Sequence, residues 1–189
     1  NLLIGNEFDD PRVDWTYKGI CHYFGVYDQH LDFDIRMGDW YSKRVPGMRQ
    51  WSALRPISGL VVERILTRRY PEAARHQRSC HSCHFEGDEI VPCGKCTKCL
   101  GVMLFLKANG QDPEVMGYRK ADVEAFPERL AATKLRLDPD ELEHSMFLAG
   151  LDGEPRPHAE GVHHHPNSDL NMMPDRFRDG AVGIIQRYA

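Results

Sequence analysis

The alternation of apolar and polar positions cuts the chain into short, punctuated segments. Leu2-Leu3-Ile4 closes on Gly5-Asn6 and reads as the end of a buried strand, with Asn6 to Pro11 as a polar turn. In an α/β protein, the segment just past the C-terminal end of a strand is where ligands sit. Residues 12 to 27 are rich in aromatics but alternate too poorly to specify a strand. Asp28 to Arg44 reads as a helix stopped by Pro46-Gly47. Between Ile57 and Tyr70, Leu60, Val61 and Ile65 share one face while Glu63, Arg64, Arg68 and Arg69 point elsewhere. That is an amphipathic helix with Pro71 as its stop.

Further on, Cys99 to Lys107 is apolar nearly all round, which predicts a short buried helix. Tyr118 to Lys134 carries a helical pattern broken at Pro127. Asp138-Pro139-Asp140-Glu141 is a helix start, with Asp138 as N-cap and Pro139 in the first turn, and its helix runs to near Gly150. Residues 151 to 173, rich in Pro, Gly and His, predict irregular chain. A last helix, Asp175 to Tyr188, puts Phe177, Ala181, Ile184 and Tyr188 on one stripe, weakened by Gly180 and Gly183. There is no internal repeat.

An apolar fraction of 41% over 189 residues is globular rather than disordered, and long enough for a real core. The longest apolar stretch, Leu100 to Leu106, is far too short to span a bilayer, so no membrane is expected. A net charge of −4 gives no overall reason to expect nucleic acid as a partner. Charge is uneven, however. Lys43 to Arg78 holds nine Lys/Arg against two acids, whereas Leu137 to Glu160 holds seven acids against one Arg. Two solvated faces that attract each other are the plain reading, and a basic stretch meeting a phosphate or pyrophosphate is the sharper one. A nucleic-acid groove is the third, weakened by the negative total.

The strongest chemical signal is sulfur. Five of the six cysteines lie within twenty residues: Cys80, Cys83, Cys93, Cys96 and Cys99, with Cys21 apart. A disulfide scaffold spreads its cysteines to staple distant loops, whereas clustered cysteines point to metal and to a reducing cytosol. In Cys93-Gly94-Lys95-Cys96-Thr97-Lys98-Cys99, a Cys-x-x-Cys turn supplies two thiolates, Gly94 lets the loop turn tightly, and Cys99 reaches the same centre from a starting helix. Cys80 closes the site across a thirteen-residue step, and Cys83 or His84 could stand in for it. Zinc is the expected ion. An iron–sulfur cluster uses similar spacing, and Cys80-x-x-Cys83-His84 also matches a c-type haem attachment pattern.

Ser79-Cys80 followed by Cys93-Gly94-x-Cys96-x-x-Cys99 resembles the C-terminal signature of the 7-cyano-7-deazaguanine synthase family, in which these cysteines bind one zinc. Arg55-Pro56-Ile57-Ser58 resembles the family's segment ahead of the helix leading to the zinc loop, and Ile4-Gly5-Asn6-Glu7-x-Asp9 resembles its strand end and following turn. The likeness covers residues 2 to 108 and is specific in the zinc part. It implies an α/β fold: the C-terminal part of a Rossmann-like PP-loop domain (residues 1–108, zinc loop 79–99), mostly helical, with 109–189 as a helical extension. It also implies ATP-dependent adenylation of a carboxylate followed by attack of an amine or ammonia, with zinc in a structural role.

The family's Ser-Gly-Gly-x-Asp-Ser phosphate loop is absent from this chain. ATP and Mg²⁺ are therefore expected only if an upstream segment or a partner subunit supplies that loop. The opening Asn1-Leu2-Leu3, without an initiator Met, fits a piece of a longer polypeptide or a processed subunit. Asn6, Glu7 and Asp9 are the candidates for substrate contact, against an Asx-capped turn as the plain alternative. Arg55 is a candidate phosphate contact, against an ordinary surface Arg. His163-His164-His165, with His158 and Asp169, reads as a polar loop or a second metal site, although consecutive residues do not easily aim at one ion. The chain is then an enzyme part, a zinc-stabilised binding subunit, or an electron carrier, and a homo-oligomer is open.

Overall fold

The computed structural model describes residues 2–6, 13–23, 27, 30–162 and 173–189. The fold is of mixed α/β class, with helices dominating a few short strands. By packing, the chain forms two compact units, residues 1–59 with 160–189 and residues 60–159. The boundary at 108 follows sequence likeness. Packing divides the chain elsewhere, because the helix ending at residue 108 shares one core with the segments that follow it.

The first unit contains strand β1 (Leu2–Ile4), the hairpin β2 (Val13–Tyr17) and β3 (Ile20–Tyr23), helix α1 (Leu31–Arg44) and strand β4 (Gln50–Ser52). Strands β1 and β4 pair in parallel, with Leu3 opposite Trp51, so a crossover containing α1 joins them. The aromatic segment, whose alternation does not specify a strand, contains an antiparallel hairpin. Its turn places Lys18 at φ 49° and Gly19 at φ 75°, the paired left-handed conformation of a two-residue hairpin loop. Helix α1 starts at Leu31 rather than Asp28, because the His30 ring accepts a hydrogen bond from the Asp32 N–H and caps it. The last helix of the chain, here α8 (Asp175–Tyr188), belongs to this unit and stacks Phe177 on buried Trp51, ring centroids 5.7 Å apart.

The second unit begins with α2 (Gly59–Arg69) and the short α3 (Pro71–Ala74). A hairpin, β5 (His84–Glu86) and β6 (Glu89–Val91), leads to α4 (Thr97–Ala108). Then come α5 (Lys120–Glu124), α6 (Phe126–Ala131) and α7 (Pro139–Leu148). Helix α4 is the axis of the core: Leu100, Met103, Leu104 and Leu106 are fully buried, as its all-round apolar sequence demands. Phe126 and Leu130 of α6 and Met116 and Tyr118 of the preceding segment pack on it. The helical pattern around Pro127 resolves into two helices because Pro127 can start α6 but cannot continue α5. Asp138 caps α7 by accepting from the N–H groups of Asp140 and Glu141. The N-terminus of α2 has no acid of its own. Buried Glu141 supplies the missing acceptor, 2.9 Å from the Leu60 N–H.

Among the described residues, no helix is long and apolar enough to cross a membrane.

Candidate metal centre

The Cys80, Cys93, Cys96 and Cys99 sulfurs all lie within 4.8 Å of one another. Individual separations are 3.5 Å for Cys96–Cys99, 3.9 Å for Cys93–Cys99 and 4.0 Å for Cys80–Cys96. Four ligands at a zinc–sulfur distance of about 2.3 Å form a tetrahedron with edges of about 3.8 Å, so the spacing fits one ion. The separations are about twice a disulfide bond length, and the thiols are free. The set can therefore hold a metal ion.

Local backbone builds this arrangement. Cys96 is the N-cap of α4 and accepts from the Cys99 N–H. The Cys93 sulfur accepts from the Cys96 N–H at 3.4 Å, and the Cys80 sulfur from the N–H groups of Ser82 and Cys93 at 3.2 and 3.3 Å. These donors, with the positive end of a twelve-residue helix, favour thiolate at the centre. Burial opposes ionisation of Cys96. It is outweighed by hydrogen bonds from the Cys99 and His81 backbone and from neighbouring thiols, which bring Cys96 down to about 6. Burial pushes the Cys99 thiol well above its ordinary range, as do its contacts with Cys80 and Cys96. Burial does the same to the Tyr118 hydroxyl, which hydrogen-bonds Cys99 and backs the centre from the core side.

Gly94 is needed twice over. It sits at φ 66°, and a Cβ there would fall 2.7 Å from the Asp122 carboxylate oxygen. That carboxylate is fixed because Arg129 donates both to it, at 2.8 Å, and to the Gly94 carbonyl, at 2.9 Å. The Arg78 guanidinium clamps the other side, donating to the carbonyls of Arg75, Gln77, Ile90 and Met116. Neither Asp122, Arg129 nor Arg78 stands out in the sequence, because the bonds that tie them to the loop run to Gly94, Ile90 and Met116, which no local pattern links to them.

The alternative ligands are elsewhere. Cys83 is exposed, and the His84 ring pairs with Glu86 on the hairpin at 3.0 Å. Among the described residues, Cys80 groups with Cys93, Cys96 and Cys99.

The substrate candidates fall in the first unit. Asn6 and Arg55 lie beyond the ends of β1 and β4, and their side chains converge on one carboxylate, Asp34 of α1. Asp34 is 2% exposed and Arg55 4%, so the plain reading of Arg55 as a surface residue is corrected: it is a buried ion-pair partner. Asp34 accepts from Asn6 at 3.3 Å and from Gln50 at 3.2 Å, and it pairs with Arg55. Ser52 donates to the Asn6 carbonyl at 2.6 Å and completes the junction. Sequence reading missed Asp34, since an acid in a polar helix reads as solvated face. Glu7 and Asp9 lie outside the described residues, as do His163 to His165 and Asp169. Nearby, His158 pairs with Asp140 at 2.9 Å.

The chain matches no protein-family model, no curated protein and no solved structure.

Proposed function

We propose that Cys80, Cys93, Cys96 and Cys99 hold a structural zinc, and that the chain is the zinc-bearing part of an ATP-dependent, amide-forming enzyme of PP-loop type. The zinc reading is carried by one observation, the tetrahedral spacing of four sulfurs. A four-iron cluster holds each sulfur on a different iron and spreads them further than this. Four thiolates leave no open position for water or substrate, so the ion organises the loop and takes no part in chemistry.

The enzyme reading is supported by the likeness of the zinc-loop sequence to the 7-cyano-7-deazaguanine synthase family. It is also supported by placement: Asn6 and Arg55 follow the carboxyl ends of two parallel strands, the edge where α/β sheets bind ligands. The Ser-Gly-Gly-x-Asp-Ser motif does not occur in the sequence, so on this reading an upstream segment or partner subunit supplies the site for ATP and Mg²⁺. On this reading, Asn6 and Arg55, fixed by Asp34, shape the wall of a carboxylate pocket, and adenylation followed by attack of an amine takes place across that edge.

A second reading, a zinc-stabilised binding subunit without catalysis, is favoured by the engagement of Arg55. A guanidinium already paired with a buried carboxylate has little left to offer a phosphate.

Elemental analysis of the purified protein is expected to give one zinc per chain and no visible absorption band. Iron or a coloured band defeats the zinc assignment. Pyrophosphate exchange into ATP separates the two functional readings. The chain joined to its upstream segment or subunit is expected to exchange in the presence of a carboxylate, and no exchange selects the binding subunit.

A further inference from the structure

The fifth thiol of the metal loop has no place in the centre described above. Cys83 is exposed, while Cys80 and Cys93 are half-buried and Cys99 is fully buried. Cys83 is nonetheless adjacent to the centre. Its sulfur lies 3.9 Å from the carbonyl oxygen of Cys80 and 3.9 Å from that of Arg78. Cys80 and Cys83 flank the two-residue turn His81-Ser82. Residues so placed around a turn bring their Cα atoms within about 7 Å, overlapping the roughly 4.4–6.8 Å that a disulfide spans.

Cys80 is also the one sulfur of the set that does not belong to the Cys93–Cys99 segment. Cys93, Cys96 and Cys99 sit on one knuckle at the start of α4, where the Cys93 sulfur accepts from the Cys96 N–H and the Cys96 sulfur from the Cys99 N–H. Cys80 arrives from a separate arm, thirteen residues earlier, with exposed chain immediately after it. Loss of Cys80 removes one ligand while leaving the Cys96 N–H to Cys93 and Cys99 N–H to Cys96 bonds of the knuckle in place.

We propose that Cys80 and Cys83 are an oxidisable dithiol pair, in which a peroxide-class oxidant links the two sulfurs and thereby withdraws Cys80 from the metal. The chemistry balances in two steps. The Cys83 sulfur attacks one peroxide oxygen, the O–O bond breaks, and Cys83 becomes a sulfenic acid as one water leaves. The Cys80 sulfur, leaving the metal, attacks the Cys83 sulfur. The S–O bond breaks, the hydroxide takes up a proton as a second water, and the S–S bond forms. The two thiols lose two electrons, the peroxide gains them, and the metal keeps its charge throughout. A small thiol reverses the change by exchange. The centre would then be a reversible oxidation sensor as well as a staple. This inference rests on the metal reading for its consequence but not for its covalent step.

The test uses the full chain as purified, treated with hydrogen peroxide in the presence of a chromogenic zinc chelator, followed by peptide mapping. The wild type is expected to release zinc and to yield a Cys80–Cys83 disulfide peptide, with dithiothreitol and added zinc restoring the starting state. Cys83→Ser is expected to hold the same zinc before treatment. It should lose zinc at least about tenfold more slowly, because the exposed thiol that reacts first is gone. Cys83→Ala should behave alike, which guards against an effect peculiar to serine. Equal release rates in wild type and both variants would overturn the proposal, as would disulfides joining other cysteines. A protein purified without metal defeats the zinc reading alone, and the disulfide map then still decides the pairing.

Discussion

A polar centre in each of the two units invites comparison, and the two are built on opposite principles. In the first, Asp34 is a buried charge satisfied by protein partners: Arg55, Gln50 and Asn6. In the second, four sulfurs face one another with only backbone N–H groups and a tyrosine to stabilise charge. The first centre is complete as a set of side chains. The second is a set of sulfurs that could hold a cation, and thiolates that face one another are stabilised by an ion between them. A buried ion pair contributes little net stability, since desolvation cancels most of the attraction, but breaking one side of it is costly. A structural metal site contributes folding free energy outright.

The largest effect that separates the two centres is expected from Cys99→Ser. Removing a fully buried ligand should cost on the order of 10 kcal/mol of metal-linked folding energy, comparable to the whole stability of a domain. Circular dichroism should show loss of helix with no bound metal. A variant that stays folded at normal stability without metal would break the distinction.

Asp34→Ala comes next. It leaves Arg55 buried and uncompensated, a loss of about 3–5 kcal/mol in a denaturant titration. The folded fraction should still carry one metal per chain. Replacing both partners with apolar residues, Asp34→Leu with Arg55→Met, is expected to recover most of that loss, which no substitution of the cysteines can do.

Gly94→Ala sharpens the second half of the comparison. The left-handed backbone and the approach of Asp122 should together cost about 1–3 kcal/mol. Only Asp122→Gly removes the clash, because the Asp122 Cβ itself would lie 2.6 Å from the new methyl group, so that double variant should lose less than the sum of the two single ones.

The last effect concerns pH. Before metal binds, backbone and thiol hydrogen bonds outweigh burial and hold the Cys96 thiol down to about 6, below its ordinary value of 9.0. Its ionisation therefore contributes stability that is fully present above about 9 and is lost as pH falls through about 6. Thiolate absorbance of the metal-free protein should fall across that window. Metal uptake at neutral pH should then release fewer protons than there are sulfurs.

The same contrast explains what could be read from the chain. The sulfur centre was legible because the ligands declare themselves by residue type and by a spacing that a turn and a helix start convert directly into geometry. Helices α4, α7 and α8 were legible from periodicity and capping within a few residues. The Asp34 centre was not, because its partners are 16 to 28 residues distant and nothing local marks Asp34 from Asp32, which is half-exposed and pairs with Arg36. Arg55 read as a phosphate contact or a surface Arg because its neighbours are basic, and the packing of α1 against β4 brings it near its acid. The β2–β3 hairpin stayed hidden because Lys18 fills a turn position at which Asn or Asp ordinarily signals the left-handed backbone.

X-ray absorption at the zinc edge of the purified protein tests the central claim most directly. The account predicts a single shell of four sulfurs at about 2.3 Å. A shell containing nitrogen or oxygen, or no zinc to measure, would contradict it.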